Sequence, residues 1–165
     1  MCIRDRPSEE AIHSQSASIE INASPESVYG MVSDITRMGE WSPEAVGGRW
    51  MDGGTGQVGD WFMGENEAPG RTWERECQVA AASAGEEFTF VVGGMEKNCT
   101  WWSYEMQPTE AGGTTLTENW WVVNHTPAMA DAFANNQEAY QNRVGPHTAQ
   151  MLETTLSNIK AAAEG

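Results

Sequence analysis

The stretch that decides the fold is residues 18–44, which read SIEINASPESVYGMVSDITRMGEWSPE. Ile19 and Ile21 alternate with polar residues, and this alternation is the period of a half-buried strand. Ser24 can cap a helix, and Pro25 suits the first helical turn, where no amide hydrogen is needed. The apolar stripe of that helix comprises Val28, Met31, Val32 and Ile35. The stretch therefore predicts a strand, a capped helix, a second short helix and a Trp-Ser-Pro turn.

Alternation of apolar and polar residues dominates the chain from this turn to about residue 123. It predicts six more strands, at residues 45–51, 57–63, 71–82, 88–92, 100–106 and 114–123. A helical stripe then runs through Met129, Phe133, Tyr140 and Val144, and it is interrupted at Gly145 and Pro146. The last helix is predicted from about residue 146 to 163, with the stripe Leu152, Leu156, Ile159 and Ala163. Short strands flanked by helices predict an antiparallel sheet with the last helix as its cover.

Composition excludes several classes of partner. The formal net charge is −15, with only nine lysines and arginines. Nucleic acid and anionic membranes both require a basic surface, so neither is an expected partner. The same charge disfavours the capture of anionic ligands at long range. Tryptophan is the commonest aromatic residue, with eight copies, and it suits both a core and the wall of a ligand site.

The cysteines and histidines show no metal-binding pattern. Cys2, Cys77 and Cys99 have no CxxC or zinc spacing. An odd number of unpatterned cysteines fits a reduced, cytoplasmic protein in which Cys77 and Cys99 are buried. Three scattered histidines predict no metal site, and His125 reads as a solvated loop residue. No apolar run approaches the roughly 20 residues that span a bilayer, so we expect no membrane insertion.

Residues 1–16 show no usable periodicity, and we interpret them as a disordered leader. Basic residues near the start are not followed by an apolar segment, so a secretory signal is not expected. The first six residues, MCIRDR, are interpreted as non-native in origin. The sequence therefore predicts one folded domain, from residue 17 to residue 165.

Several short motifs in a fixed order carry a resemblance to a known superfamily. They are Ala23-Ser24-Pro25-Glu26 with Val28-Tyr29, Asp34, Glu40-Trp41-Ser42-Pro43-Glu44, Val58-Gly59-Asp60-Trp61-Phe62 with Gly64 and Asn66, Thr100-x-Trp102-x-Tyr104, Gly113-Thr114-Thr115-Leu116-Thr117-Glu118 and Thr155-Leu156-x-x-Ile159-Lys160. In this order the chain closely resembles the START-like, Bet v 1-like superfamily, also called SRPBCC or polyketide cyclase/dehydrase-like proteins. The resemblance covers about residues 18–163. It implies an α+β helix-grip fold: a curved antiparallel β-sheet wrapped around a long C-terminal α-helix, with two short helices after the first strand and an apolar cavity inside.

Polar residues among the strand aromatics are the candidate catalytic groups. In each of the two strands predicted at residues 100–106 and 114–123, alternation divides the side chains between the two faces of the sheet. In the first strand, one face has Thr100, Trp102 and Tyr104, and the other has Trp101, Ser103 and Glu105. In the second, one face has Leu116, Glu118 and Trp120, and the other has Thr117, Asn119 and Trp121. The sequence does not decide which set is concave. An inward Glu118 would have a raised pKa and suit proton transfer; the alternatives are an outward carboxylate or one paired with Arg71. Glu105 is the second catalytic candidate.

The candidate ligand-binding residues are Trp61, Asn66, Arg71, Trp73, Trp102, Tyr104 and Trp120. The leading hypothesis is that the protein binds a small hydrophobic molecule, lipid-like or polyketide-like, between the sheet and the C-terminal helix. The alternative is a cyclase or dehydratase that uses a carboxylate in the cavity, and a third reading is a protein-interaction module with an incidental cavity. No cofactor is expected, and the protein is expected to be a monomer or homodimer. The ligand itself cannot be read from the sequence.

Overall fold

The computed structural model describes residues 9–165. In this part of the chain the seven strands form one antiparallel sheet in the order β1-β7-β6-β5-β4-β3-β2. The strands are β1 (His13–Ile21), β2 (Ala45–Trp50), β3 (Trp61–Ala68), β4 (Arg71–Ser83), β5 (Glu87–Val92), β6 (Thr100–Pro108) and β7 (Thr114–Val122). Consecutive strands from β2 to β7 are neighbours, and β1 closes the sheet beside β7. The predicted antiparallel sheet is confirmed.

The helices lie at the two ends of the chain. Helix α1 (Pro25–Val32) and a 3₁₀ helix (Ile35–Glu40) follow β1, and α2 (Pro127–Asn135), α3 (Gln137–Asn142) and α4 (Thr148–Glu164) follow β7. Both short helices start as predicted, because the Ser24 side chain accepts a hydrogen bond from the Ser27 amide and Asp34 accepts one from Thr36.

The core lies between the concave face of the sheet and α4. Leu152, Leu156 and Ile159 on α4 are at most 2% exposed, and they meet the sheet as the helical stripe predicted. The helix packs most extensively against β1. The α+β helix-grip fold is therefore confirmed.

The first strand starts earlier than predicted. β1 begins at His13, and residues 13–16 pair with residues 119–122 of β7, so a leader that extends to residue 16 is wrong. The missed signal is the alternation itself, because outward Ser14, Ser16 and Ser18 continue the pattern of Glu20. The first eight residues of the predicted leader, including MCIRDR, lie outside the described residues.

The third strand starts later than predicted, at Trp61 rather than residue 57. Asp60 explains the difference, because its Oδ2 atom accepts hydrogen bonds from the amides of Thr55, Gly56 and Gln57 at 2.9–3.1 Å. A carboxylate that gathers three preceding amides holds them in a turn and removes them from the strand ladder.

The helical stripe predicted across residues 129–144 is divided at Asn136. This residue has a non-helical conformation (φ −151°, ψ 77°), and its side chain accepts a hydrogen bond from the Ala139 amide to start α3. A second break is the π-helical turn Arg143–His147, where Gly145 leaves helical geometry. The two breaks let α2 and α3 fold over the open end of the sheet. The final helix begins at Thr148, two residues after the predicted Pro146.

Candidate functional site

A cavity of about 520 Å³ lies between the concave face of the sheet, α4 and the α2–α3 segment. Its walls include residues from β3 to β7, and its cover includes Met129 and Ala132 of α2 and Tyr140 of α3. This volume is in the range of small-molecule sites.

The cavity decides which face of the sheet is concave. Thr100, Trp102 and Tyr104 of β6 line it, as do Glu118 and Trp120 of β7. Tyr104 lies opposite Glu118 in the strand pairing, and Trp102 lies opposite Trp120. The β6 set with Trp102 and Tyr104 and the β7 set with Glu118 and Trp120 therefore lie on the same, concave face of the sheet. The alternate set of β6, which contains Trp101, Ser103 and Glu105, lies on the convex face.

Glu118 is a buried carboxyl group in the wall of this cavity. Its side chain is 3% exposed, and its Oε1 atom has no hydrogen-bond partner among residues 9–165. Burial raises the pKa of Glu118 to about 8, and a hydrogen bond with Tyr104 partly offsets this. The carboxyl group is therefore mainly protonated at pH 7 and can donate a hydrogen bond. It is not paired with Arg71.

Tyr104 and Trp120 complete the polar part of this wall. Burial raises the pKa of the Tyr104 phenol well above its usual value, and the Glu118 charge adds to the effect. The Trp120 indole is fully buried, and its Nε1 atom also has no hydrogen-bond partner in the described chain. Glu118 and Trp120 are two positions apart on β7, so they point to the same side of the strand. A protonated carboxyl and an indole N–H are thus available to an oxygen atom of a ligand.

Four other predicted ligand-binding residues also line the cavity: Asn66, Arg71, Trp73 and Trp102. Trp73 lies opposite Asn66 in the pairing of β4 with β3. The Arg71 guanidinium carbon is 4.2 Å from the centre of the Trp73 ring, which is a cation–π contact. Arg71 is exposed, so this part of the wall lies where the cavity opens to solvent.

Two predicted site residues lie elsewhere. Trp61 is at the other face of β3, opposite Gln78 and against Gly94, so its prediction as a cavity residue is wrong. Glu105 is on the convex face, where its Oε2 atom accepts a hydrogen bond from Asn119 at 3.3 Å. It cannot serve as the cavity carboxylate, because alternation separates it from Tyr104 by the thickness of the sheet.

A cluster of two histidines and a tyrosine was missed from the sequence. The Tyr140 hydroxyl is 2.6 Å from His13 Nε2 and 2.8 Å from His125 Nε2. Burial lowers the pKa of His13, and the nearby His125 lowers it further. His125 is therefore a partner of a buried tyrosine rather than a solvated loop residue. The cluster joins β1, the loop after β7 and α3 beside the cavity.

A second missed group sits at the cavity mouth. Arg143 Nη1 is 2.9 Å from Glu44 Oε2, and His147 Nε2 is 3.5 Å from the same oxygen. All three residues line the cavity. Arg143 and His147 lie at least 99 positions after Glu44 in the chain, so no local sequence motif could reveal this group.

The buried cysteine of the site, Cys77, is an unreactive thiol at neutral pH. Cys77 lines the cavity and is 4% exposed. Burial raises the pKa of its thiol to about 12, so it is a small apolar wall residue at neutral pH. Residues 9–165 bring together no group of three or more His, Cys, Asp and Glu side chains suited to a metal ion. None of the helices in the same range is long and apolar enough to cross a bilayer.

Comparison with known families settles the relationship. Residues 13–164 match the family described as polyketide cyclase / dehydrase and lipid transport. The chain belongs to this family. Proteins of curated function provide no match.

Solved structures agree with this membership. The solution structure of the polyketide cyclase-like protein Cgl2372 from Corynebacterium glutamicum is 34% identical; the match covers 92% of this chain and 91% of that one, with a TM-score of 0.65. The ginseng major latex-like protein 151 from Panax ginseng is 12% identical, over 92% and 97% of the chains, with a TM-score of 0.62. The di-domain ARO/CYC StfQ from the steffimycin biosynthetic pathway is 12% identical, with a TM-score of 0.68, and covers 94% of this chain and 52% of that one. The two distant matches show a shared fold.

Proposed function

We propose that this protein binds a small, mainly apolar molecule that carries a carbonyl or hydroxyl oxygen. The observation that carries the proposal is the cavity itself: about 520 Å³ of space, with an unpartnered carboxyl oxygen and an unpartnered indole N–H in its wall. Buried polar groups without partners cost free energy. A ligand oxygen that accepts from Glu118 and Trp120 would remove this cost.

The apolar wall supports the same proposal. Phe62, Phe90 and Trp102 line the cavity, and the rings of Phe62 and Phe90 lie 5.2 Å apart in an edge-to-face contact. These residues offer a ligand apolar area without flexible side chains, so little conformational entropy is lost on binding. Family membership, which includes lipid transport in its description, is consistent with such a ligand.

The first experiment is native mass spectrometry of the purified protein for small molecules that co-purify, followed by tryptophan fluorescence titration. The titration uses fluorescent fatty acids, flavonoids and sterol analogues. Saturable quenching by at least one probe is expected, because Trp102 and Trp120 are in the wall. Ala132→Phe should weaken that binding, because Ala132 lines the cavity. Ala130→Phe is the matched control on the exposed side of α2. If every probe fails, or if both variants behave alike, ligand binding in this cavity is refuted.

A second candidate function is cyclase or dehydratase chemistry, which the inward position of Glu118 favours. A carboxyl group with a pKa near 8 can act as a general acid at neutral pH. In a dehydration, Glu118 would protonate the leaving hydroxyl, water would depart, and the resulting carboxylate would accept the proton from the adjacent carbon. In an aldol closure, the enol form of one carbonyl would attack a second carbonyl, Glu118 would give its proton to the oxygen of the second carbonyl as the carbon–carbon bond forms, and the resulting carboxylate would accept the proton released by the enol hydroxyl.

The two functions are separated by one pair of variants. Glu118→Gln keeps the size of the side chain but removes its transferable proton, so it should reduce turnover of a cyclisable poly-carbonyl substrate by about 10²–10⁴-fold. Ligand binding should survive within a few fold, because the amide still donates a hydrogen bond. Glu105→Gln is the control on the convex face and should leave turnover unchanged. Equal turnover in both variants would remove Glu118 from any mechanism.

A further inference from the structure

Charges are sorted between the two faces of β3 and β4. On β4, Arg71 and Arg75 line the cavity, whereas Glu74 and Glu76 occupy the alternate positions. On β3, Gly64 and Ala68 face the same arginines in the strand pairing, and neither carries a charge. Alternation therefore places the guanidinium groups on the concave side and the carboxylates on the convex side of this corner.

The two concave arginines have no carboxylate partner within residues 9–165. Arg75 donates only to the main-chain oxygen of Glu74, at 3.1 Å, and Arg71 stacks on Trp73. By contrast, Arg49 on the convex side contacts both Glu65 and Glu74 at 2.8–2.9 Å. Acidic residues outnumber basic ones by 24 to 9, so unpaired arginines are unexpected in this chain unless something else meets them.

The cavity lining has the opposite charge to the protein as a whole. Its charged residues are three arginines, Arg71, Arg75 and Arg143, and two carboxyl groups, Glu44 and Glu118. Glu44 is paired with Arg143 at 2.9 Å, and Glu118 is buried and has no cationic partner among residues 9–165. The charge left over is that of Arg71 and Arg75, at the mouth of a cavity in a chain of net charge −15. A cation pair in this position attracts an anion locally, although the whole molecule repels it at long range.

From this arrangement we infer that the ligand has an anionic group, a carboxylate or a phosphate, at one end of its apolar body, and that Arg71 and Arg75 bind this group at the cavity mouth. The inference rests on the proposed ligand-binding function and specifies the class of ligand. Guanidinium groups suit this task because their N–H groups match the spacing of carboxylate and phosphate oxygens. The stacked ring of Trp73 holds the Arg71 guanidinium in place before the ligand arrives.

The strand pairing places the arginines and Glu118 at opposite ends of the cavity. Val122 lies four positions beyond Glu118 on β7. It is paired with Thr100 on β6, which is paired with Val92 on β5, which in turn is paired with Cys77 on β4, so these four residues are at the same level of the sheet. Arg75 lies two positions further along that strand. At about 3.3 Å per residue, the backbone separation along the strand direction is roughly 20 Å. An elongated ligand is therefore required to reach both ends, with its anionic group outside and its oxygen-bearing part inside.

The test compares ligands that share an apolar body and differ only in the end group. Binding of dodecanoate, dodecyl phosphate and 1-dodecanol to the full chain is measured at pH 7.5 by isothermal titration calorimetry, below the micelle concentrations. Dodecanoate or dodecyl phosphate is expected to bind about tenfold more tightly than dodecanol, because one charge-assisted hydrogen bond increases the affinity by about this factor. The phosphate and carboxylate arms then identify which anion the arginines prefer.

Two double variants assign the effect to residues. Arg71→Gln/Arg75→Gln should reduce the preference for the anion to about one while dodecanol binding stays the same. Arg49→Gln/Lys97→Gln is the matched control, because it removes two positive charges from residues that do not line the cavity and should keep the preference. Circular dichroism melts check that both variants are folded, and the exposed positions of all four residues favour this outcome.

Each outcome has a distinct meaning. Equal affinity of the wild type for dodecanoate, dodecyl phosphate and dodecanol overturns the anionic subsite and leaves ligand binding intact. A preference that persists in Arg71→Gln/Arg75→Gln overturns the assignment to these arginines. If no alkyl probe binds, and the fluorescent probes described above also fail, it is the proposed function that is refuted. Loss of the preference in the arginine variant alone supports the inference.

Discussion

Strands β6 and β7 contain two cross-strand pairs of tryptophans, and the two pairs lie on opposite faces of the sheet. Trp101 and Trp121 are partners on the convex side, whereas Trp102 and Trp120 are partners on the concave side. Trp101 is buried and donates its indole N–H to Asn98 Oδ1 at 2.7 Å. Trp120 is equally buried, yet its N–H has no partner in the described chain. Trp101 of the convex pair therefore completes its hydrogen bond within the protein, whereas Trp120 of the concave pair leaves its N–H unpaired within residues 9–165.

The carboxyl groups of the same two strands show the same contrast. Glu105 on the convex face is part of a polar network, in which Asn119 donates to it at 3.3 Å and accepts a hydrogen bond from Ser16 at 2.8 Å. Glu118 on the concave face is buried beside Tyr104, and burial raises its pKa to about 8. One residue of strand alternation therefore separates a structural carboxylate from a group suited to ligand chemistry.

The strongest way to break this comparison is to remove the cover of the concave face. Leu156→Asp places a charge at a position that is 2% exposed, and it also loses the burial of a leucine, about 1.5–3 kcal/mol. Since a typical domain is stable by roughly 5–15 kcal/mol, the variant is expected to be insoluble or molten. Ser157→Asp adds the same charge to an exposed position of the same helix and should melt like the wild type. Circular dichroism and gel filtration decide, and a folded Leu156→Asp protein would place the core elsewhere.

The pH dependence of stability tests the contrast between Glu118 and Glu105. The folded protein keeps the Glu118 proton up to about pH 8, whereas the unfolded chain releases it near pH 4.5. Between these values the folded state binds more protons, so this group lowers the free energy of unfolding by up to about 1.4 kcal/mol for each unit of rising pH. Above about pH 8 its contribution is constant. Glu118→Gln should remove this slope, and Glu105→Gln should retain it. Urea titrations from pH 5 to pH 9 would measure both, and a slope unchanged by Glu118→Gln would refute the raised pKa.

Replacing one tryptophan on each face gives a smaller, reciprocal pair of effects. Trp101→Phe leaves the buried Asn98 side chain without its donor and should cost about 1–3 kcal/mol more stability than Trp120→Phe. Trp120→Phe removes an N–H that has no partner, so its main effect should be weaker ligand binding. Denaturant melts and probe titrations of both variants check this exchange of roles. If the two variants lose stability and affinity in the same proportion, the faces do not differ in the way proposed.

The smallest expected effect concerns the cluster that holds the helical cover to the sheet. Tyr140→Phe removes the hydroxyl that contacts His13 and His125 and should cost about 1 kcal/mol. Hydrogen exchange should accelerate in α3 more than in the convex loops. Tyr29→Phe is a suitable control, because no hydrogen bond of the Tyr29 hydroxyl is present within residues 9–165 and its ring packs on Phe88 at 6.3 Å. Identical exchange in the two variants would show that the cluster does not hold the cover.

Much of the fold could be predicted because it depends on local periodicity. Strand alternation predicted that Trp102 and Tyr104 share one face of β6 and that Glu118 and Trp120 share one face of β7. The structure confirms both predictions. The helical spacing of Leu152, Leu156 and Ile159 identified the cover of the sheet. Alternation alone could not say which set faces inward, because that depends on the direction in which the sheet curves. The error on Trp61 has a different cause: Trp61 and Asn66 are five positions apart on β3, so alternation places them on opposite faces and only one of them could line the cavity.

Other features escaped prediction because their partners are distant along the chain. His13 and Tyr140 are 127 positions apart, and the polar residues around His13 resembled a leader more than a strand. Gln15 is similar, since its side chain donates to the Val144 carbonyl at 2.9 Å, at the π-helical turn that breaks the helix. Arg71 and Arg75 are visible in the sequence, but the lack of a carboxylate partner for either of them within residues 9–165 becomes evident only once the carboxylates of β3 and β4 are assigned to the opposite face.

The concave tryptophan pair also has an optical consequence. The rings of Trp102 and Trp120 are 6.4 Å apart and their planes are inclined by 58°, so the electronic transitions of the two indoles are close enough to couple. Coupled chromophores with this geometry produce a paired positive and negative band in circular dichroism. Either ring would have to turn only slightly to change the intensity of the pair. The unlabelled protein therefore has its own spectroscopic signal for events inside the cavity, recorded in the far ultraviolet and independent of tryptophan emission.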